Sequence, residues 1–177
     1  MEVAKLDGIN IHYKIHGDAQ KVILLIGGVA SDHKMWSYVI PPLVKYYKVI
    51  VFDNRGIGLT TDNNEPFSIS TMAQDCYHLL NYLKIDKAHI IGHSMGGMIA
   101  QQFAISYPNN THKLVILNSA SYAHKTLEFA LSNQNFVRSQ HVLEPTAILQ
   151  LFIPWLFSSQ FLNSVVNNLR DYNICFL

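Results

Sequence analysis

Apolar and polar residues alternate strictly near the start of the chain. In "INIHYKIH", residues 9–16, every odd position is apolar or aromatic and every even position is polar. This period of two predicts a half-exposed β-strand, because successive side chains of a strand point to opposite faces of a sheet. The Asp7-Gly8 pair that precedes it is typical of a hairpin turn. Residues 2–16 are therefore predicted to form an antiparallel hairpin at the edge of a sheet.

Four later segments contain near-continuous apolar runs, "KVILLIGG", "YKVIVFDNRG", "AHIIGHS" and "KLVILNSA". Such runs are typical of parallel strands that are covered on both faces. A helix is predicted over residues 70–83, with these apolar residues at helical spacing: Met72, Cys76, Leu79, Leu80 and Leu83. Alternating strands and helices indicate an open α/β sheet, whose ligands bind beyond the carboxyl ends of the strands.

The pattern changes after Ala120, where helical spacing continues without another strand of the buried type. We expect a core over residues 1–120 and a helical lid segment over residues 121–177. The chain contains no internal repeat and no Gly/Ser-rich linker, so a second independent domain is not expected.

Composition narrows the function classes. The 177 residues are 49% hydrophobic and carry a formal net charge of +1, which suits one globular core and provides no basic footprint for nucleic acid. Cys76 and Cys175 form no paired pattern and the N-terminus has no apolar leader, so a cytoplasmic location is expected. The longest C-terminal apolar run, "AILQLFIPWLF", has 11 residues. A bilayer span needs about 20, so no membrane partner is expected.

The stretch "HIIGHSMGGMIA", residues 89–100, places Ser94 between glycines where a strand meets a helix. Residues 92–96 match the G-x-S-x-G nucleophile elbow, in which glycines make room for a sharp turn around a reactive serine. A chance glycine turn would give the same five residues, but the flanking strand and helix favour a nucleophile. Gly96, Ala100 and Ala104 recur every four positions, so the helix is expected to lie close against the sheet.

A second candidate element is the Gly27-Gly28 pair at the end of a buried strand. Here the backbone N–H of Val29 is a candidate oxyanion donor, and the N–H of Met95 is the second. A plain glycine turn remains the alternative for this loop. Gly28 and His93 flank these donors and are candidate substrate contacts, although the His93 side chain is expected to turn from the serine into loop packing.

Other chemistries have weaker support. The nine histidines are scattered, and His12 and His16 share a strand face without the further ligands of a known metal motif, so no metal site is predicted. "GHSMGG" and "RGIGLT" match neither the P-loop nor the dinucleotide-binding fingerprint. We therefore predict no nucleotide, flavin or nicotinamide cofactor.

Together, "LLIGGVASDHKMW", "VIVFDNRGIGLT" and "IIGHSMGGMIAQQFA" resemble the α/β-hydrolase superfamily, in its small esterase and lactonase branch. The resemblance implies an α/β-hydrolase fold with a mostly parallel sheet, an N-terminal antiparallel hairpin and a helical lid. The first loop of that family usually carries His-Gly, where this chain has Gly27-Gly28. The D-x-R-G-x-G-x-S/T element, here residues 53–60, implies that Asp53 and Arg55 brace loops and do not catalyse.

The segment "LQLFIPWLFSSQFLNS" resembles the lid of 3-oxoadipate enol-lactonases and related carboxylesterases. This resemblance implies an acyl or lactone pocket lined by four lid residues, Leu151, Phe152, Trp155 and Phe157. Packing within the lid is the alternative role for each of them.

The partners of the serine are harder to find. In this fold an acid and then a histidine follow the nucleophile along the chain, and the family most often places both after the lid. We therefore expect this chain to end before the acid, the histidine and the last strands of the fold. Residues 118–121, "NSAS", supply no carboxylate at the alternative acid position. A rearranged triad that uses His124 or His141 is the alternative.

A missing set of strands would leave "KLVILN" as an unpaired apolar edge, which invites aggregation, a homo-oligomer or a complementing C-terminal segment. The expected function is a serine hydrolase that cleaves a small carboxylic ester or enol-lactone through an acyl-enzyme on Ser94, weak or inactive in this chain. The alternatives are a non-catalytic remnant or truncated product, a cofactor-free haloperoxidase, or a relative of the methyl esterase of biotin synthesis.

Overall fold

The predicted hairpin is present at the start of the chain. The computed structural model describes residues 1–6 and 8–122, and its first two strands, β1 (Glu2–Leu6) and β2 (Ile9–His16), pair antiparallel. Ile9, Ile11 and Tyr13 are buried, whereas Asn10 and Lys14 are exposed. The alternation in the sequence therefore reports which face of β2 meets the core.

The four apolar runs form the remaining strands: β3 (Val22–Ile26), β4 (Lys48–Phe52), β5 (Ala88–His93) and β6 (Thr111–Leu117). The strands lie in the order β1-β2-β4-β3-β5-β6. The β3–β4, β3–β5 and β5–β6 pairs are parallel, and only the hairpin side of the sheet is antiparallel. The carboxyl ends of four parallel strands therefore share one edge, which is where the candidate site was sought.

Helix α2 spans Ile69–Tyr82, one residue earlier than predicted at each end. It begins there because Ser68 is the N-cap: its Oγ accepts a hydrogen bond from Thr71 N–H, and the Ser68 N–H donates to Thr71 Oγ1. This reciprocal capping box supplies hydrogen-bond acceptors to two backbone N–H groups at the start of the helix, those of Ser68 and Thr71. The buried face is the predicted one, with Met72, Cys76, Leu79 and Leu80.

Between β3 and β4 lie two short helical elements that were not predicted, a 3₁₀ turn at His33–Trp36 and helix α1 at Ile40–Leu43. Each has four residues, too few to show a helical period. Asp32 starts the 3₁₀ turn by accepting a hydrogen bond from Lys34 N–H at 2.9 Å. These elements bring Trp36, which is 3% exposed, onto one face of the sheet.

Helix α3 (Met95–Ser106) and α2 pack on the opposite face of the sheet. The larger core lies on that side and includes the fully buried Leu24, Ile90, Ile99 and Phe103. Each such side chain contributes about 1.5–3 kcal/mol through burial, so α3 is anchored firmly on the sheet. None of the described helices has the length and hydrophobicity needed to cross a membrane.

Strand β6 differs from the expectation of a strand covered on both faces. Its four consecutive apolar residues are 36–42% exposed: Leu114, Val115, Ile116 and Leu117. Among the described strands, β6 pairs only with β5 and forms one edge of the sheet. Within this part of the chain it is therefore the exposed apolar edge that the sequence led us to expect.

We expect the chain to self-associate at micromolar concentration, because an exposed apolar edge strand pairs readily with another chain. Val115→Lys places a charge on that edge and should lower the associated fraction, measured by light scattering after size-exclusion chromatography. Ile105→Lys is the control, since Ile105 is 74% exposed and lies on α3, not on the edge strand. A wild-type chain that is monomeric and melts cooperatively would contradict this expectation.

Candidate active site

The turn between β5 and α3 holds Ser94 in a strained backbone conformation. Ser94 has φ 55° and ψ −123° and is the residue immediately before the helix. Its N–H donates to the Leu117 carbonyl of β6 at 3.0 Å, and its carbonyl accepts from Gly97 N–H at 2.9 Å. A non-glycine residue at positive φ is uncommon, and such strain is concentrated at functional sites. The strand, the turn and the helix thus form the elbow that the sequence predicted.

Glycines surround this turn because there is no room for side chains. A Cβ on Gly92 would overlap the Gly96 carbonyl, and a Cβ on Gly96 would overlap the Ile26 carbonyl. A Cβ on Gly97 would lie only 2.6 Å from Ser119 Oγ, which follows β6. The first turn of α3 therefore touches the end of β3 directly, backbone against backbone.

The loop after β3 approaches the serine. A Cβ on Gly28 would lie 3.1 Å from Ser94 Cβ, so the Gly28 backbone borders the candidate nucleophile. Val29 follows at once, and its side chain is 41% exposed. In the described part of the chain, neither the Val29 N–H nor the Met95 N–H donates to a backbone carbonyl. The structure brings Gly28, Ser94 and the start of α3 together, and the role of the two N–H groups as oxyanion donors stays a prediction.

The N-terminus of α3 creates a positive electrostatic potential beside Ser94. Ser94 lies at the N-terminus of this 12-residue helix, where the partial positive charge of the backbone dipoles is concentrated. A negative charge that develops beside Ser94 would be stabilised there.

His93 packs against the loop after β3. Its Nδ1 is buried, has no hydrogen-bond partner among the described residues, and lies 3.5 Å from the position of a Cβ on Gly28. The ring therefore contacts the loop, as expected for loop packing. Whether it also contacts a substrate stays a prediction.

Asp53 ties the far end of the same loop to β4. It is fully buried, and its Oδ1 accepts from the His33 N–H at 2.8 Å and lies 2.8 Å from His33 Nδ1. Its Oδ2 accepts from the Leu59 N–H at 3.0 Å. Burial raises the pKa of Asp53, but the hydrogen bonds from Leu59 and His33 outweigh it and the net pKa lies below the usual value. Asp53 is thus an ionised brace between two loops.

Arg55 braces the next loop against α2. Its guanidinium donates to both carboxylate oxygens of Asp75, Nε at 2.9 Å and Nη2 at 2.6 Å. Both side chains are at most 10% exposed, and the ring of Phe67 lies 5.8 Å from the guanidinium carbon. The sequence indicated a bracing role for Arg55 and did not indicate its partner. Asp75 is a polar position on the buried face of α2, and that placement was the available signal.

Asn54, between these two, is a site residue that the sequence analysis missed. Its Nδ2 donates to the Gly27 carbonyl at 2.9 Å, and Asn54 is 2% exposed. A polar side chain directly after a buried strand was the only signal of this contact, and that signal does not name the partner.

The groups that would activate Ser94 are not found with it in the described part of the chain. No histidine of residues 1–6 and 8–122 hydrogen bonds with the Ser94 hydroxyl, and His33 is engaged with Asp53. Asn118, with φ 48°, follows β6 where some relatives of this fold would carry the acid. Also in this part, no three His, Cys, Asp or Glu side chains lie close enough to hold a metal ion.

Several predicted residues lie outside the described part. They are the alternative bases His124 and His141 and the lid residues Leu151, Phe152, Trp155 and Phe157. The predicted lid over residues 121–177 falls almost wholly there, so its boundary stays a prediction.

Comparisons with known proteins agree with this geometry. A family model described as the alpha/beta hydrolase fold matches residues 21–140. "Putative carbamate hydrolase RutD" of Caulobacter vibrioides is 30% identical over 125 residues, which cover 68% of this chain and 46% of that protein. The chain thus spans about half the length of the curated relatives it matches.

Two solved structures share the fold. MGS-M2, an alpha/beta hydrolase enzyme from a Medee basin deep-sea metagenome library, is 23% identical with a TM-score of 0.86, over 96% of this chain and 62% of that one. The enol-lactonase from Burkholderia xenovorans LB400 is 22% identical with a TM-score of 0.79, over 96% of this chain and 65% of that one. At these identities the likeness shows the fold alone.

Gly96→Ala tests the contact between α3 and β3. Alanine is the better helix former by about 1 kcal/mol, so a helix that is free of the strand would be stabilised. We expect a loss of about 1–3 kcal/mol instead, because the new Cβ overlaps the Ile26 carbonyl. Urea unfolding measures the change, and a higher midpoint for the variant would disprove the close approach.

Asp53→Asn tests the ionised brace. A pKa below its unfolded value, about 3.9, means that Asp53 stabilises the fold above that pH and loses this contribution as the pH falls through the folded value. We expect the variant to lose about 1.5–3 kcal/mol of unfolding free energy at pH 7 and the difference from wild type to shrink on acidification below pH ~4.

Urea unfolding from pH 7 down to pH ~2, across the carboxyl range, measures both effects. Asp18→Asn is the control, since Asp18 is exposed. A difference between wild type and Asp53→Asn that is constant with pH would exclude the charged form as the cause.

Proposed function

Because the chain belongs to the alpha/beta hydrolase fold family, we propose that it is a serine hydrolase that cleaves a small carboxylic ester or lactone, with Ser94 as the nucleophile. The observation that carries the proposal is the backbone of Ser94, held at φ 55° and ψ −123° at the start of α3. A serine held in such an elbow, at the N-terminus of a helix, is the arrangement that acyl transfer uses.

The proposed reaction has two steps. Ser94 Oγ bonds to the carbonyl carbon, its proton passes to a general base, and the carbonyl oxygen becomes an oxyanion that accepts hydrogen bonds from the Val29 and Met95 N–H groups. The oxyanion then collapses, the C–O bond to the leaving alkoxide breaks, and that alkoxide takes the proton from the base. Water attacks the acyl-enzyme in the same way and releases the acid and the free serine.

The supply of the base sets the expected rate. A triad whose base is removed retains about 10³- to 10⁴-fold catalysis over water, from the oxyanion hole and substrate binding. Ser94 has no histidine bonded to it in the described part of the chain. We therefore propose that the full rate depends on a base that residues beyond Tyr122 or another chain supply, and that turnover without this base is weak.

The substrate class follows from the carbonyl chemistry and from the surroundings. Three apolar side chains on loops after β3 and β4 are 41–59% exposed, Val29, Leu59 and Phe67. They lie beyond the carboxyl ends of the parallel strands, as the elbow does. Apolar side chains there favour an apolar acyl group over a highly charged one. One relative is named as a carbamate hydrolase and one structural neighbour as an enol-lactonase, and both kinds of substrate contain a carbonyl bound to a heteroatom. A small carbamate is therefore the second candidate substrate.

Labelling with a fluorophosphonate tests the nucleophile. We expect a single covalent adduct on the wild-type chain, seen by intact-protein mass spectrometry, and none on Ser94→Ala. Ser106→Ala is the matched control, because Ser106 is an exposed serine at the other end of α3. An adduct that persists in Ser94→Ala would exclude Ser94 as the labelled nucleophile, and no adduct on the wild-type chain would favour a non-catalytic protein. Hydrolysis of short esters, lactones and carbamates by the same samples then ranks the substrates.

A further inference from the structure

A buried side-chain amide holds the start of the loop that carries Val29. Asn54 follows the end of β4 by two residues and donates from Nδ2 to the carbonyl of Gly27, the first residue after β3, at 2.9 Å. Asn54 is only 2% exposed. A buried carbonyl without a partner is costly, so this amide supplies what the Gly27 carbonyl loses when the chain leaves the sheet.

The Gly27 carbonyl belongs to the peptide that joins Gly27 to Gly28, so a hydrogen bond to it fixes the peptide plane next to the one that carries the Val29 N–H. Gly27 and Gly28 have no Cβ and adopt many more backbone conformations than other residues, so this pair does not orient the Val29 N–H by itself. Helix α3 restricts the Gly27 carbonyl from one side, because Gly96 lies so close to it that there is no room for a Cβ between them. The Asn54 amide restricts it by a directed hydrogen bond.

The two ends of the loop are held by consecutive residues with different chemistry. Asp53 accepts hydrogen bonds at the far end, from His33, and Asn54 donates at the near end, to Gly27. A carboxylate at position 54 has no hydrogen to donate and would face the Gly27 carbonyl with its own negative oxygens. The site therefore needs an amide at 54 and a carboxylate at 53.

We propose that Asn54 is a positioning residue of the candidate oxyanion hole, which aims the Val29 N–H at the carbonyl attacked by Ser94. This inference rests on the proposed function. It predicts a defect in the covalent step, because a displacement of about 1 Å in a catalytic group is enough to slow a reaction by about 100-fold.

The experiment compares fluorophosphonate labelling kinetics of the full 177-residue chain and three variants. Asn54→Asp keeps the shape of the side chain and removes the donor, and Asn54→Ala removes the whole amide. Asn110→Ala is the control for the loss of an amide-to-carbonyl bond. Asn110 Nδ2 donates to the Asp86 carbonyl at 2.7 Å in an exposed position near the amino ends of β5 and β6. We expect the maximal labelling rate to fall by about 10- to 100-fold in both Asn54 variants. The half-saturating probe concentration should stay within about twofold, and Asn110→Ala should label like wild type.

The outcomes separate this inference from the proposed function. Wild-type labelling that Asn54→Asp leaves unchanged overturns the positioning role and leaves Ser94 as nucleophile. An equal loss in Asn110→Ala also overturns it, because general destabilisation then explains the effect. If the wild-type chain takes no label, the proposed function fails. NMR of the variants then tests whether Asn54 positions the Gly27 carbonyl and the Val29 N–H. Asn54→Asp must shift the Gly27 carbonyl and Val29 amide signals more than Asn110→Ala does, and equal shifts overturn it.

Discussion

The contact of two backbones without intervening side chains is the constraint on which the candidate site depends. The first turn of α3 meets the end of β3 at Gly96, where any Cβ would overlap the Ile26 carbonyl. Gly92 allows the same approach from β5. Because these backbones touch, the elbow, the helix N-terminus and the loop after β3 converge at one point. The dipoles of α3 act most strongly within its first turn, so this closeness also sets the electrostatics of the site.

Three consecutive residues after β4 fasten the loops and the helix that the backbone contact between α3 and β3 does not hold. Asp53 binds the 3₁₀ turn through His33, Asn54 binds the Gly27 carbonyl, and Arg55 binds α2 through Asp75. All three are at most 8% exposed. A buried charge is costly unless it is paired or hydrogen-bonded, and each of the two charged members meets that condition. The loop after β4 therefore connects the loop after β3 to helix α2 through buried hydrogen bonds.

The α/β-hydrolase fold expected from the sequence is confirmed by the matching family model and by the structural likeness. The strands were predictable because an apolar run is a local property of the chain. The start of α2 was harder to predict, because Ser68 and Ser70 are both suitable N-cap residues. Only the reciprocal hydrogen bonds between Ser68 and Thr71 identify Ser68 as the cap.

The contacts that no local pattern encodes were not predicted. Asn54 and Gly27 are 27 positions apart. Nothing in the residues around Asn54 indicates that its partner is a carbonyl at the end of the neighbouring strand β3. The family resemblance led us to expect an unpaired edge at β6, but the apolar run itself did not predict that the faces of this strand are exposed. An apolar run predicts a strand, but whether both faces of that strand are covered depends on which elements pack beside it. The lid residues and the activating base of the candidate triad stay predictions, because they fall outside the described residues.

The residue type at position 94 is itself an argument for chemistry. Glycine adopts positive φ at little steric cost, whereas a strained non-glycine residue costs about 1–3 kcal/mol. A turn that served only to join β5 to α3 would be more stable with glycine at this position. Serine adds only a Cβ and a hydroxyl, and in the described part of the chain that hydroxyl makes no hydrogen bond to a histidine. The strain at Ser94 thus agrees with the role of nucleophile that we propose for it.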